Sequence, residues 1–139
     1  MSGPVFVDTA ALYALFLPGD QNHAAAREEL ERLRRADAPL VTTEVVLLES
    51  YILVHARSGR PGLMRFRDSL ARSTWLDPRP VSHPQQEMAW RLLESHGDKD
   101  WSFVDATSFV VMRARKIRRA FSFDHHFAQA GFEMLPAPR

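Results

Sequence analysis

Residues 4–17, PVFVDTAALYALFL, join a short apolar segment to a longer one through a single acid, Asp8. The β-branched and aromatic run before Asp8 predicts a buried strand. Thr9 offers an N-cap for a helix that continues until Pro18 and Gly19 end it. A strand that passes directly into a helix is the building unit of a parallel α/β sheet, so this stretch predicts the fold class.

The rest of the chain repeats this alternation of strand and helix. Further strands are predicted at 38–43, 120–123 and 131–136, with an extended connector at 75–82. Helices are predicted at 23–36, at 44–58 and 61–72 on either side of a glycine- and proline-rich break, at 83–97, at 102–116 and shortly after 124. No linker or repeat is present. The pattern predicts one α/β domain, residues 1–139, with a central parallel sheet of about four or five strands flanked by helices.

The composition excludes several classes of protein. No stretch approaches the roughly 18 consecutive apolar residues that indicate a membrane span, and the first residues lack the basic and apolar regions of a secretion signal. Cysteine is absent, which rules out disulfides and thiolate metal ligands and fits the reducing cytoplasm expected for this protein. The net charge of +1 does not by itself indicate a nucleic-acid-binding protein.

Two acids follow predicted strands. Asp8 comes after the first strand, and Asp124 comes after the strand at 120–123. The carboxyl ends of parallel strands meet at one edge of the sheet, where functional side chains gather, so both acids are expected there. An Asp after a strand is also a common N-cap of the next helix, and this alternative stays open for each of them.

Two further acids lie in apolar helices. Glu49 is predicted to share a helical stripe with apolar residues, namely Val45, Ile52, Leu53 and Ala56. A carboxylate there needs a cation, a donor or a metal, and a salt bridge to an arginine is the alternative explanation. Asp105 lies on a mixed helix face with Ser108 one turn away. Asp98 and Asp100 precede that helix, where acids favour its dipole.

If the four acids in these two groups converge, their charges repel one another unless divalent cations neutralise them. Ligand sets made only of oxygen select Mg²⁺ or Mn²⁺, and a pair of such ions activates water and stabilises the leaving oxygen in phosphodiester hydrolysis.

Basic residues are concentrated at 57–72 and in RARKIRR, residues 113–119. These runs are interpreted either as solvated helix faces or as surfaces for RNA phosphates, with Arg113, Arg115 and Lys116 as the RNA-binding residues.

The two histidines that follow Asp124 suggest a metal site of their own. Adjacent residues on a helix point about 100° apart, so His125 and His126 cannot easily face one ion. Packing, or a contact with phosphate, is therefore favoured over zinc binding for these side chains.

Four segments, taken together and in order, resemble the PIN-domain family and within it the VapC-type toxins of bacterial toxin–antitoxin operons: FVDTAALYALF, VTTEVVLLES, DKDWSFVDATSFVVM and FSFDHHFAQAGF. The resemblance covers nearly the whole chain. It implies a catalytic and metal-binding quartet: Asp8, Glu49, Asp105 and Asp124. Asp100 is then an additional ligand, directly or through water. Thr9 and Ser108 are auxiliary site residues, and capping is the alternative role of Thr9.

The same resemblance implies an endoribonuclease that depends on Mg²⁺ or Mn²⁺ and cuts structured RNA such as transfer or ribosomal RNA. A VapB-like antitoxin is expected to bind and inhibit it, and homodimers are common in the family. The alternatives are a PIN-fold nuclease of DNA or RNA processing outside a toxin–antitoxin system and a catalytically silent RNA-binding PIN domain. A receiver-type signalling domain is disfavoured, because Asp8 has no second acid beside it and AFSFD lacks a lysine.

Overall fold

The computed structural model describes residues 3–138. Its strands are β1 (Val5–Val7), β2 (Leu40–Thr43), β3 (Leu76–Arg79), β4 (Arg119–Phe121) and β5 (Glu133–Leu135). Its helices are α1 (Thr9–Phe16), α2 (His23–Arg35), α3 (Glu44–Ala71), α4 (His83–Ser95), α5 (Phe103–Ala114) and α6 (His126–Gln129). The strands all pair in parallel, which confirms the predicted α/β architecture. No helix within the described residues has the length and apolar character needed to cross a membrane.

The strand order β3-β2-β1-β4-β5 places β1 at the centre of the sheet. The chain moves outward from β1 through β2 to β3, then crosses back over β1 to β4 and β5. Right-handed crossovers put α1, α2 and α3 on one face and α4, α5 and α6 on the other. Because the direction of winding changes beside β1, the carboxyl ends of β1 and β4 border the crevice in which open parallel sheets hold their sites.

The central strand is apolar because both faces of the sheet are covered. Val5, Phe6 and Val7 are fully buried. The ring of Phe127 in α6 lies 6.3 Å from the ring of Phe6 and 5.0 Å from the ring of Phe109 in α5, measured between centroids. These contacts fix α5 and α6 against the sheet, and with them the acids that lie in or next to those helices.

The long helix α3 folds back on itself at Gly59. This residue has a φ of +66°, a left-handed conformation that glycine adopts without a steric penalty. The rings of Tyr51 and Phe66 lie 5.9 Å apart, although 15 residues of straight helix would separate them by about 22 Å. The break predicted between two helices is therefore confirmed, and the second half of α3 packs on the first.

Several predicted boundaries differ from the structure by one or two residues, and three of these differences lie next to residues of the predicted site. The helix expected to reach Lys116 ends at Ala114, because Lys116 has a φ of +57° and leaves the helix. The strand expected at 120–123 ends at Phe121, so Asp124 follows β4 only after a two-residue segment. The N-cap of α1 is Asp8, since Thr9 is already the first helical residue. None of these shifts moves an acid away from the carboxyl edge of the sheet.

Candidate functional site

Asp8 lies directly after β1 and is only 4% exposed. It occupies the N-cap position of α1, but its side chain makes no capping hydrogen bond. Instead the Ser122 hydroxyl donates to Asp8 Oδ2 at 2.9 Å, and the Ser122 oxygen accepts from the backbone N–H of Asp124 at 3.0 Å. Ser122 thus connects the carboxyl ends of β1 and β4, and capping does not explain where the Asp8 side chain points.

His126 joins Asp105 to Asp124. Asp105 lies in the first turn of α5 and forms a capping box with Ser102, whose backbone N–H donates to Asp105 Oδ2 at 3.0 Å. His126 Nδ1 lies 2.9 Å from that same oxygen and 3.2 Å from Asp124 Oδ1. A hydrogen bond from Nδ1 requires a proton on that nitrogen, so His126 is placed to donate to either carboxylate.

Glu49 approaches the other acids from α3, in a setting that differs from the predicted one. Ile52, expected on the same buried stripe, is 64% exposed, and the buried residues of this half of α3 are Val46, Ser50 and Val54. Glu49 itself is partly exposed. Within residues 3–138 it forms no ion pair with an arginine, so the salt-bridge explanation fails there.

Burial raises the pKa of Asp8 from its usual value of 3.8 to about 7. The Ser122 hydroxyl and the backbone N–H of Thr9 oppose this rise in pKa, and the negative charges of Asp105 and Asp124 add to it. Asp8 therefore lies close enough to Asp105 and Asp124 for their charges to raise its pKa. Near neutral pH, Asp8 is present in both its protonated and its ionised form.

The pKa of Glu49 is also raised, first by burial and then by the charges of Asp105 and Asp124. The neighbouring Thr9 hydroxyl favours the charged form of Glu49 without completing a hydrogen bond of normal geometry. The charges of Asp105 and Asp124 thus act on both Asp8 and Glu49, so the four acids are neighbours near the carboxyl edge of the sheet.

Two buried hydroxyl oxygens in the described part of the chain have no hydrogen-bond partner: Thr9 Oγ1 and Ser108 Oγ. Thr9 follows Asp8, and Ser108 lies one helical turn from Asp105. Buried polar atoms are nearly always paired in proteins, so an unpaired one indicates a place for a water or an ion. These are the two auxiliary residues expected from the sequence, and their role at a metal site stays a prediction.

The structure does not tie the other predicted site residues to the acids. Asp100 is exposed and forms no hydrogen bond or ion pair with the described residues. Helix α5 begins at the carboxyl edge with Asp105 and ends near the starts of β1 and β4. Arg113 lies in its last turn and Arg115 and Lys116 follow it, beside Pro4, so these three residues lie at the opposite edge of the sheet. Their binding to RNA stays a prediction.

Two residues that organise the site were not among those predicted. Ser122 has no local signal beyond being a polar residue between Phe121 and Phe123. His126 was expected to pack or to touch phosphate, and it binds carboxylates instead. Asp124, His125 and His126 do place one ligand atom each within 4.8 Å of one another, but the His125 side chain is 77% exposed. A pair of histidines of which one lies mostly in solvent is a poor metal site, and the metal-binding role of the acidic quartet stays a prediction.

The central strand β1 ends in a buried acid, and the other three acids of the quartet lie on α3, on α5 and after β4. Residues 5–133 match the family model described as PIN domain. The chain therefore belongs to the PIN-domain family.

Within this family the chain is similar to the 23S rRNA-specific endonuclease VapC20 of Mycobacterium tuberculosis, with 37% identity over 129 residues, 92% of this chain and 95% of the relative. The crystal structure of VapC20, a sarcin–ricin loop cleaving toxin, matches with a TM-score of 0.80 and 36% identity over 92% of this chain and 95% of that one. The expected VapC-type resemblance is thus confirmed.

Two further crystal structures share the fold at lower identity. FitAcB from Neisseria gonorrhoeae has a TM-score of 0.70 and 13% identity, over 94% of this chain and 95% of that one. PAE2754 from Pyrobaculum aerophilum has a TM-score of 0.59 and 17% identity, over 97% of this chain and 91% of that one. At these identities the match concerns the architecture alone.

Proposed function

We propose that this protein is a divalent-metal-dependent endoribonuclease and the toxin of a toxin–antitoxin pair. The observation that carries the proposal is the cluster of acids at the carboxyl edge of the sheet: Asp8, Glu49, Asp105 and Asp124. Burial and mutual repulsion make such a cluster unfavourable unless a cation neutralises it. A relative with 37% identity is named as an rRNA-specific endonuclease, which supports the same chemistry.

The donor set fits Mg²⁺ or Mn²⁺. Carboxylate oxygens are the ligands that these ions prefer, and the acidic quartet would hold them. When bound, the ions would supply an activated water and neutralise the charge that develops on the phosphate and the leaving oxygen. The unpaired hydroxyls of Thr9 and Ser108 would bind waters of the hydrated ions. Asp100, in the loop before α5, is proposed as a further ligand through water.

The surrounding residues hold the carboxylates in fixed orientations. Ser122 anchors Asp8 Oδ2, and Ser102 and His126 both bind Asp105 Oδ2. Such supporting contacts keep ligands pointed at a metal and raise its affinity. Asp8 must lose its proton before it binds a cation, so its pKa of about 7 couples metal binding to pH.

The proposed substrate is structured RNA. VapC20 is named for 23S rRNA, and its crystal structure is described as that of a toxin that cleaves the sarcin–ricin loop. Ribosomal RNA is therefore the first substrate to test here, and transfer RNA the second. The acidic cluster acts on a phosphate and a water, so selection among RNAs belongs to other surfaces of the molecule.

A groove between α1, α2 and the second half of α3 fits an antitoxin. It encloses about 860 Å³, and its floor is apolar, with Leu15, Phe16, Leu30 and Leu70. Charged residues of α2 line its rim: Arg27, Glu28, Glu31, Arg34 and Arg35. We propose that an amphipathic helix of a VapB-like antitoxin lies in this groove, with its apolar stripe on the floor and its charges paired with the rim.

The proposal places the protein in the cytoplasm. It also includes a homodimer. Leu48 and Ile52 are 59% and 64% exposed on the first half of α3. An apolar surface of this kind is one that a second copy of the chain would cover. Light scattering on the purified protein measures its mass directly, and a monomeric mass at working concentrations would contradict the dimer.

Cleavage of purified ribosomal RNA with and without divalent metal tests the function. We expect cleavage in Mg²⁺ or Mn²⁺, no cleavage in EDTA, and inhibition by an antitoxin encoded next to this protein. Metal-dependent cleavage that no neighbouring gene product inhibits would favour a processing nuclease outside a toxin–antitoxin system. RNA binding without cleavage in any metal would favour a silent PIN domain.

A further inference from the structure

The edge of the sheet opposite the acidic cluster carries a concentration of positive charge. The basic edge, as we name it, consists of Arg113, Arg115, Lys116, Arg118 and Arg119. The first four of these side chains are exposed, and none of those four forms an ion pair within residues 3–138. No carboxylate within the described residues neutralises these four charges, so they are open to an anionic ligand.

Part of the basic edge lines a concavity of about 1050 Å³ beside the start of β1 and the start of β4. Glu133 is the one carboxylate among its described lining residues. Arg113 is held in position there, because it donates to the Ala130 carbonyl at 3.3 Å and its guanidinium lies 5.9 Å from the centre of the Phe132 ring. This surface is therefore preformed and strongly positive, which suits a polyanion.

Helix dipoles do not account for the whole basic edge. Cations in the last turn of a helix are stabilised by its dipole, and this explains Arg113 and Arg115 at the end of α5. The effect fades beyond the last turn, and Arg118 lies past the end of the helix. Its exposed charge, next to that of Lys116, needs a different reason.

The length of α5 sets the distance between the two charged surfaces. Asp105 lies in its first turn and Arg113 in its last, so they are separated by about 12 Å along the helix axis, with Arg115 and Lys116 farther on. An oligonucleotide of only a few nucleotides, centred on the acids, ends before it reaches the basic edge, whereas a longer strand covers the distance. A folded RNA is wide enough to contact both.

We propose that the basic edge is a second RNA-binding surface, which holds backbone phosphates of a folded substrate away from the bond that is cut. The proposal rests on the endoribonuclease function proposed above. Arginine and lysine neutralise phosphates whatever the base sequence, and folded RNA is recognised largely by the positions of its phosphates and 2′-hydroxyls. The basic edge therefore adds affinity for a substrate that places phosphates at both edges of the sheet at once, as a folded RNA does, and adds none for a very short oligonucleotide.

The test compares Arg115→Glu/Lys116→Glu with a control, Arg91→Glu, which reverses the charge of an exposed arginine on α4 that lies outside both basic runs. KM and kcat are measured for a folded rRNA fragment and for a short single-stranded oligonucleotide with the same cleaved bond. For the basic-edge variant we expect KM for folded RNA to rise at least about tenfold. Its affinity for folded RNA should also depend less on salt, with a plot of log affinity against log salt concentration that is shallower by about two. Cleavage of the oligonucleotide, and both activities of the control, should stay unchanged.

Three other results would contradict RNA binding by the basic edge. An unchanged KM for folded RNA overturns the proposal, and so does an equal loss on both substrates, which would place these cations in the cleavage step or the fold. Loss of antitoxin binding with normal cleavage would assign the surface to that partner instead. If the glutamate pair does not fold by circular dichroism, Arg115→Gln/Lys116→Gln takes its place. A wild-type protein that cleaves neither RNA refutes the endoribonuclease itself, which is a distinguishable failure.

Discussion

Asp8 ends the central strand with a carboxylate that is 4% exposed. Burial raises its pKa to about 7, well above its usual value of 3.8. A carboxyl pKa that is higher in the folded than in the unfolded state contributes stability at low pH, and this contribution is lost as the pH rises through the folded-state pKa. The ionised form that a metal requires is therefore the form that the metal-free fold tolerates least.

The first prediction at the residue scale concerns Asp8→Asn in EDTA. As the pH rises from about 4 to about 8, the free energy of unfolding of the wild type should fall relative to that of the variant. At about pH 8 the variant should be more stable by roughly 2–4 kcal/mol, because a shift of one pKa unit corresponds to about 1.4 kcal/mol. Urea unfolding at several pH values measures this. Parallel pH profiles for the two proteins would contradict the buried, raised carboxyl group.

The second residue-scale prediction separates the two neighbouring histidines. His126→Ala removes a donor from Asp105 and Asp124 and should lower RNA cleavage and Mn²⁺ affinity about tenfold, as loss of a supporting contact around a metal typically does. His125→Ala is the control, because that side chain is largely exposed, and it should leave both unchanged. Cleavage rates are measured against Mn²⁺ concentration. Equal effects of the two substitutions would show that His126 does not position the acids.

Single residues differ in how far the sequence reveals them. Asp8 and Asp124 stand out because each interrupts an apolar segment near a strand end. Ser122 and His126 do not, because each contacts nearby Asp124 but also binds a second acid that is 114 or 21 residues away along the chain. A hydrogen bond between such distant positions leaves no local pattern, so the contacts that orient the acids are known only once the chain is folded.

At the scale of elements, α3 shows both what a pattern predicts and where it fails. Gly59, Pro61 and Gly62 predicted the break, and the left-handed φ of Gly59 confirms it. The predicted buried stripe through Glu49 was wrong, since α3 turns Val46 and Val54 toward the core. Apolar residues lie on both sides of this half-helix, as exposed Leu48 and Ile52 show, so periodicity alone could not identify the packed face.

The fold-back of α3 leads to a prediction about Gly62. A methyl group there would lie 2.3 Å from the Ser58 Cβ, far inside contact distance. Gly62→Ala should therefore destabilise the protein by about 1–3 kcal/mol, the usual range for overpacking. Gly97→Ala is the control, because a methyl group at that position meets nothing within 4 Å. Urea unfolding of both variants provides the comparison, and equal stabilities would contradict the close approach at the bend.

The groove formed by α1, α2 and α3 leads to a prediction about inhibition. Leu30→Asp places a charge on its apolar floor and should weaken antitoxin binding at least about tenfold, as loss of a central interface contact does. Met88→Asp, on α4 outside the groove and 51% exposed, is the control. Titration of each variant with antitoxin, read as residual RNA cleavage, gives the affinities. An antitoxin that inhibits both variants equally well would have to bind elsewhere.

At the scale of the whole molecule, the parallel sheet separates the charged surfaces. Its carboxyl edge gathers the four acids, and its amino edge gathers the cations that follow α5. The alternation of strands and helices was enough to predict the acidic edge, because the rule about carboxyl ends holds for any order of parallel strands. A helix that connects two parallel strands runs in the opposite direction to them, so its C-terminus lies at the amino edge of the sheet. Arg113 and Arg115, at the end of α5, are therefore far from the acids.

The most direct test of the proposed function is cleavage of ribosomal RNA by the wild-type protein and by Asp8→Asn, at equal concentration in Mn²⁺ and with equal folding verified by circular dichroism. Asparagine keeps the size of the side chain and removes the charge that a metal ligand needs. We predict cleavage by the wild type, a loss of about 100-fold or more in the variant, and no cleavage by either protein in EDTA. Comparable cleavage by both proteins in Mn²⁺ would contradict the proposal, because it would remove Asp8, and with it the acidic cluster, from the chemistry.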